Sequence, residues 1–162
     1  MRLIIVLIIL SNNLFAQIPT KFELKLVNQD SWVEYKIPLF LNNITPEDYG
    51  SPHYNRFDFE SRDKKVKIFI LVNNSYLSKY RFNLKEAYKS ILQRKDYNIT
   101  YKVLRENSYY ISGNLKNGRV FYEFCKALNG YGYTYSIEYD RDYLNYFNNT
   151  IPEIVRSFKI LR

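Results

Sequence analysis

Between residues 98 and 139 the chain alternates apolar and polar side chains with few interruptions, and each break in the alternation is short. Strand segments are predicted at 98–105, 109–115, 119–127 and 132–139. Connections of a few residues can join only antiparallel neighbours, because a parallel pair needs a crossover of roughly a dozen residues or more. An antiparallel meander is therefore the unit that any fold of this chain must accommodate.

The strongest turn signal in it is Asn117-Gly118, since a two-residue type I′ turn needs positive φ at both central positions. Taking that pair as the turn sets Leu115 opposite Val120, Gly113 opposite Tyr122, Ile111 opposite Phe124 and Tyr110 opposite Cys125. A three-residue turn at Glu106-Asn107-Ser108 then adds Val103, Tyr101 and Ile99 to the face of Ile111, Gly113 and Leu115. On this register Gly113 leaves room for the ring of Tyr122. Tyr133, Tyr135, Ile137 and Tyr139 make a further same-face row, so most strand tyrosines point to a core. The opposite face carries Lys102, Leu104, Tyr110, Ser112, Phe121, Glu123 and Cys125 and is part polar, part apolar. Lys102, Tyr110, Ser112, Glu123 and Glu138 are its candidate binding residues.

Upstream, "FELKLV" and "SWVEYKIP" read as strands, the second with Val33, Tyr35 and Ile37 on one side. The stretch "LNNITPEDYGSPHYN" is the longest loop, and "RFDFES" and "KKVKIFILV" form a hairpin around Ser61–Lys64. Asn83 and Glu86 have capping-box spacing before a helix whose buried stripe is Leu84, Ala87, Tyr88, Ile91 and Leu92. Thr150 and Glu153 repeat that spacing, with Pro152 in the tolerant first turn and Ile151, Ile154, Val155 and Phe158 as the stripe. The fold class expected is α+β, an antiparallel sheet flanked by helices.

The first residues, MRLIIVLIILSNNLFAQ, place one positive charge before an apolar run and a polar break ending at Ala16. This is the pattern of a signal peptide over residues 1–16. The run is shorter than the roughly 20 apolar residues of a spanning helix. Residues 17–162 are then a single globular domain, exported to the periplasm or secreted, with no transmembrane anchor after cleavage. One cysteine cannot form an internal disulfide, so the stability of this domain rests on its core.

The run "ITYKVLRENSYYISGNLKNGRVFYEFC", followed by "YSIEY" and "IPEIVRSFK", resembles the C-terminal half of PsbP-like domains, above all small exported bacterial proteins of unassigned role. The resemblance covers residues 98–160 and rests on Tyr109-Tyr110-Ile111-Ser112-Gly113, Phe121-Tyr122, Tyr139 and Ser157-Phe158. It implies an α/β/α sandwich. Named members of that family serve as photosystem or nuclear-transport accessory proteins, so it also implies binding rather than catalysis, and it transfers no functional residue.

The chemistry-bearing residues are few. His53 and Cys125 are single, which disfavours a transition-metal site and leaves a Cys-His hydrolase without local support. Acidic pairs such as Asp140 and Asp142 lack the spacing of a calcium loop. A phosphate-binding glycine loop is absent, and no cofactor is expected. The net charge of +8 comes from scattered Lys and Arg residues, which argues against a nucleic-acid partner. The leading expectation is a non-catalytic exported accessory protein that binds another protein, one form being an inhibitor or immunity protein. The alternative is a small-ligand or glycan binder displaying Tyr110 and the loop tyrosines Tyr49, Tyr54, Tyr76, Tyr131 and Tyr143. A hydrolase of undefined reaction stands third.

Overall fold

The computed structural model describes residues 23–29, 33–46, 50–51, 54–73 and 81–161. The expected signal peptide, Trp32, Tyr49, Tyr76 and His53 lie outside the described residues. In chain order the elements are β1 (Leu24–Gln29), β2 (Val33–Pro38), β3 (Asn42–Asn43), β4 (Gly50–Ser51), β5 (Tyr54–Glu60), β6 (Val66–Asn73), α1 (Leu84–Leu92), β7 (Tyr97–Leu104), β8 (Ser108–Leu115), β9 (Val120–Leu128) and β10 (Tyr131–Tyr139). A short 3-10 turn, Arg141–Tyr143, leads into α2 (Leu144–Ser157), and β11 (Lys159–Ile160) is the last of the described elements. The fold is α+β. A central antiparallel sheet runs β3-β5-β6-β10-β9-β8-β7 with β4 beside β5, and a small sheet runs β1-β2-β11.

Period-2 alternation puts Phe57, Ile68, Ile70, Tyr135 and Ile137 on one face of the central sheet, where they pack with Val33, Tyr35 and Ile37 of β2 and with Phe147 and Ile154 of α2. The other face buries Tyr109, Ile111, Phe121 and Cys125 beneath Leu84 and Ile91 of α1. Much of the large core is aromatic: Tyr35 stacks on Phe158 with centroids 6.3 Å apart and meets Tyr135 edge-on at 6.0 Å. Such pairs each add roughly 0.5–1.5 kcal/mol beyond area burial. The first helix begins where its capping signal places it, with Asn83 Oδ1 accepting hydrogen bonds from the backbone N–H groups of Lys85 and Glu86.

The second helix does not. It starts at Leu144, so Thr150 is mid-helix, where its hydroxyl donates to the Tyr146 carbonyl at 2.9 Å, and Pro152 lies inside the helix. An interior proline costs about 3 kcal/mol. Here the upstream turns bury Tyr143, Tyr146 and Phe147, at roughly 1.5–3 kcal/mol for each large side chain, and that gain exceeds the cost. The capping spacing at Thr150 is a coincidence inside a longer amphipathic stripe.

The meander register also differs from the type I′ expectation. Leu115 donates to the Arg119 carbonyl at 2.8 Å and Gly118 to the Leu115 carbonyl at 2.9 Å, which makes a three-residue loop of Lys116, Asn117 and Gly118. Gly118 has φ +85° and Asn117 does not have positive φ, the pattern of a type I turn closed by a bulge. Tyr110 therefore faces Phe124, Ile111 faces Glu123, Gly113 faces Phe121 and Tyr109 faces Cys125. A slip of one residue exchanges the faces. Between β7 and β8 the expected three-residue turn is also corrected: the Arg105 N–H donates to the Ser108 carbonyl at 2.7 Å, leaving a two-residue loop of Glu106 and Asn107, so Val103 faces Tyr110 and Tyr101 faces Ser112, and a bulge between Ile99 and Tyr101 then sets Ile99 opposite Gly113.

Gly113 consequently serves a different neighbour from the expected Tyr122. A Cβ there would collide with the Asn98 carbonyl group and approach Ile99 Cα to 2.9 Å. It is the close approach of the β7 backbone that requires glycine.

Candidate binding groove

The two faces of the meander meet different surroundings, and the five candidate binding residues divide between them. Glu123 is 5% exposed beneath α1. Glu138 lies on that same face, half-buried, with Oε2 3.8 Å from Arg119 Nη1. Lys102 faces Ile111 across the β7–β8 pair and is exposed. Tyr110 and Ser112 are on the other face. The single mixed sheet face expected from the sequence is corrected to two faces, because it depended on the lengths of both turns, the one at Asn117-Gly118 and the one between β7 and β8.

Under α1, a small polar group is enclosed in apolar surroundings. The Tyr109 hydroxyl donates to Glu123 Oε1 at 2.7 Å. Ser136 is directly across from Glu123 on β10, and Thr134 is across from Cys125. Burial pushes the Glu123 carboxyl up to about 7, against the opposing influence of the Tyr109 hydroxyl and the Arg94 charge. Burial likewise pushes the Cys125 thiol up to about 12. Cys125 is fully buried, so it presents neither a thiolate nor an approach for a substrate. Among the described residues no group of three His, Cys, Asp or Glu side chains is arranged to hold a metal ion.

The α2-side face has an opening instead. The 3-10 turn is anchored at the sheet end: Tyr143 donates to Asp63 Oδ2 at 3.0 Å, and Arg119 Nε lies 3.1 Å from Asp140 Oδ1 while its Nη2 donates to the Lys65 carbonyl at 2.8 Å. From this anchor α2 runs over β10, with Phe147 stacked on Tyr139 at a centroid distance of 4.4 Å. Next to that contact the sheet presents Thr100, Ser112 and Gly113, residues too small to reach α2. A groove of about 440 Å³ remains between them, walled on the helix side by Leu144, Ile151 and Pro152.

Its polar groups are sparse and well defined. The Thr100 hydroxyl, at the β7 bulge, donates to the Ser112 carbonyl at 3.4 Å. Arg141 Nη2 donates to Asn114 Oδ1 at 3.3 Å. Pro152 has no N–H, so the Asn148 carbonyl, four residues earlier and on the groove, lacks its usual in-helix donor. Beyond the groove, Tyr101 is 53% exposed, and Tyr110 is half-buried, stacked on Phe124 at 5.0 Å with Arg105 above its ring at 5.5 Å.

No family model matches the sequence, and no curated protein is significantly similar to it. Among solved structures, that of cyanobacterial PsbP (CyanoP) from Synechocystis sp. PCC 6803 is similar to this chain, with a TM-score of 0.61 at 10% identity over 85% of this chain and 92% of the other. The fold is PsbP-like. The likeness covers 85% of the chain, more than the stretch 98–160 on which the sequence resemblance rests. Among the described residues no helix is long and apolar enough to cross a membrane.

Of the candidate residues, then, the groove uses Ser112, and Tyr110 lies on the same face. Tyr143, a candidate for display, is instead 2% exposed and tied to Asp63. Arg141, Leu144 and Asn148 precede the helix start expected at Thr150, six residues after the observed start at Leu144. Helical spacing of Tyr143, Tyr146, Phe147 and Thr150 is the signal that finds them.

Proposed function

We propose that the protein is a non-catalytic exported accessory protein that binds another protein through the groove between α2 and the β7–β8–β9 end of the sheet. The observation that carries this reading is an open, largely apolar groove with exposed Tyr101 and Leu144 beside it, while the chain's one thiol is sealed in the core. Large apolar side chains held out of the core by a rigid sheet and helix are what a protein interface buries first. The PsbP-like fold agrees with a binding role by analogy. Several described cations are paired, among them Lys36 with Glu153, Lys65 with Asp142, Lys67 with Glu60 and Lys159 with Glu34.

The test places a photo-crosslinking residue at Tyr101, at Leu144, and at Lys85 on the outer face of α1, with capture from the envelope of the native host. The expected result is one protein recovered in near-equal amount from Tyr101 and Leu144 and absent from Lys85. Recovery of no protein, or of the same set from all three positions, overturns the reading.

A further inference from the structure

The groove contains one charge. Arg141 is the sole ionisable cation among the residues that line it, and none of those residues is acidic. The acids on either side of Arg141 in the chain are already engaged, Asp142 by Lys65 at 2.7 Å and Asp140 by Arg119 at 3.1 Å. Arg141 itself has only a 3.3 Å hydrogen bond to a neutral amide, and no described carboxylate lies within ion-pair distance of it. A guanidinium in this position is pre-placed to pair with a carboxylate, since it offers a planar fork of donors and stays charged at any ordinary pH.

The remaining surfaces of the groove define what accompanies that carboxylate. Leu144, Ile151 and Pro152 on the helix side and Val120 on the sheet side require an aliphatic or aromatic side chain. Sites for small ligands cover most of the ligand surface, whereas this groove is open to solvent. Its chemistry suits a length of chain better than an isolated small acid.

Deepening the protein-binding reading, and resting on it, we propose that the groove seats an extended segment of the partner protein in which an Asp or Glu carboxylate, held by Arg141, stands next to an aliphatic or aromatic residue packed between α2 and Ser112. A charge-assisted bond of this kind contributes about tenfold or more in affinity.

The test selects a random heptapeptide library against the protein and against Arg141→Gln and Arg141→Glu. Neither substitution removes a core contact, and unchanged thermal melting establishes that each variant is folded. The expected result is enrichment of peptides with an acid beside an apolar residue, at least tenfold weaker binding of those peptides to Arg141→Gln, and a switch to basic peptides with Arg141→Glu. Enrichment without an acid bias, an acid bias that survives Arg141→Glu, or no enrichment overturns the proposal. If the crosslinked partner is still recovered from Tyr101 and Leu144 in that event, the protein-binding reading stands and only the chemistry assigned to Arg141 falls.

Discussion

Glu123 makes the stability of this protein depend on pH in a direction opposite to that of most carboxylates. Its carboxyl is raised from the usual 4.5 to about 7, chiefly because burial removes its hydration. Below pH 4.5 the folded and unfolded chains both carry this proton and the full stability is present. As pH rises the unfolded chain releases the proton first, so stability falls until the folded chain also loses it near pH 7. The gap corresponds to about 3 kcal/mol.

Glu123→Gln removes the titration and retains a carbonyl acceptor for the Tyr109 hydroxyl, which now donates to Oε1 at 2.7 Å. Urea unfolding of both proteins at pH 5 and pH 8 isolates the effect, because other titrating groups are common to the two. The variant should be near the wild type at pH 5 and gain about 3 kcal/mol relative to it by pH 8, a rise of roughly 6–12 °C in melting temperature for a domain of this size. A stability difference that stays constant within about 0.5 kcal/mol between the two pH values refutes the account of a protonated, buried carboxyl.

Four other perturbations test the local packing. Gly113→Ala drives a methyl group into the Asn98 carbonyl, and chemical denaturation should show a loss of roughly 2–4 kcal/mol. Gly118→Ala meets no atom within 4 Å but must hold φ near +85°, so the loss in the same assay should be only about 1 kcal/mol. Pro152→Ala restores a helical hydrogen bond to the Asn148 carbonyl and should raise stability by about 1–3 kcal/mol in the same assay. Cys125 is fully buried with its thiol pushed up to about 12, so a disulfide reagent at pH 8 should leave the native protein unlabelled and label it fully in denaturant.

Local pattern alone settled the elements whose faces see very different surroundings. Val33, Tyr35 and Ile37, the β5–β6 hairpin and the row Tyr133, Tyr135, Ile137 and Tyr139 are all buried as their alternation requires. Asn83 caps its helix where the spacing places it. These features depend on residues only a few positions apart, and the hydrophobic effect acts on them in the same way whatever the rest of the chain does.

What the tertiary structure decided was the choice between local states of similar energy. Asn117-Gly118 is compatible with a two-residue or a three-residue turn; the longer loop places Phe121 and Cys125 under α1, and Tyr122 and Phe124 towards the other core. That choice moved Tyr110 and Ser112 away from Glu123, and the two-residue Glu106-Asn107 loop between β7 and β8 moved them away from Lys102. Helix α2 likewise overrides Pro152 because Tyr146 and Phe147 have a sheet to pack on. The groove itself is a product of neither element alone: it is the space left where small residues of β7 and β8 pass beside the flank of α2, residues that are 31 to 52 positions apart in the chain and become neighbours only after the sheet has closed.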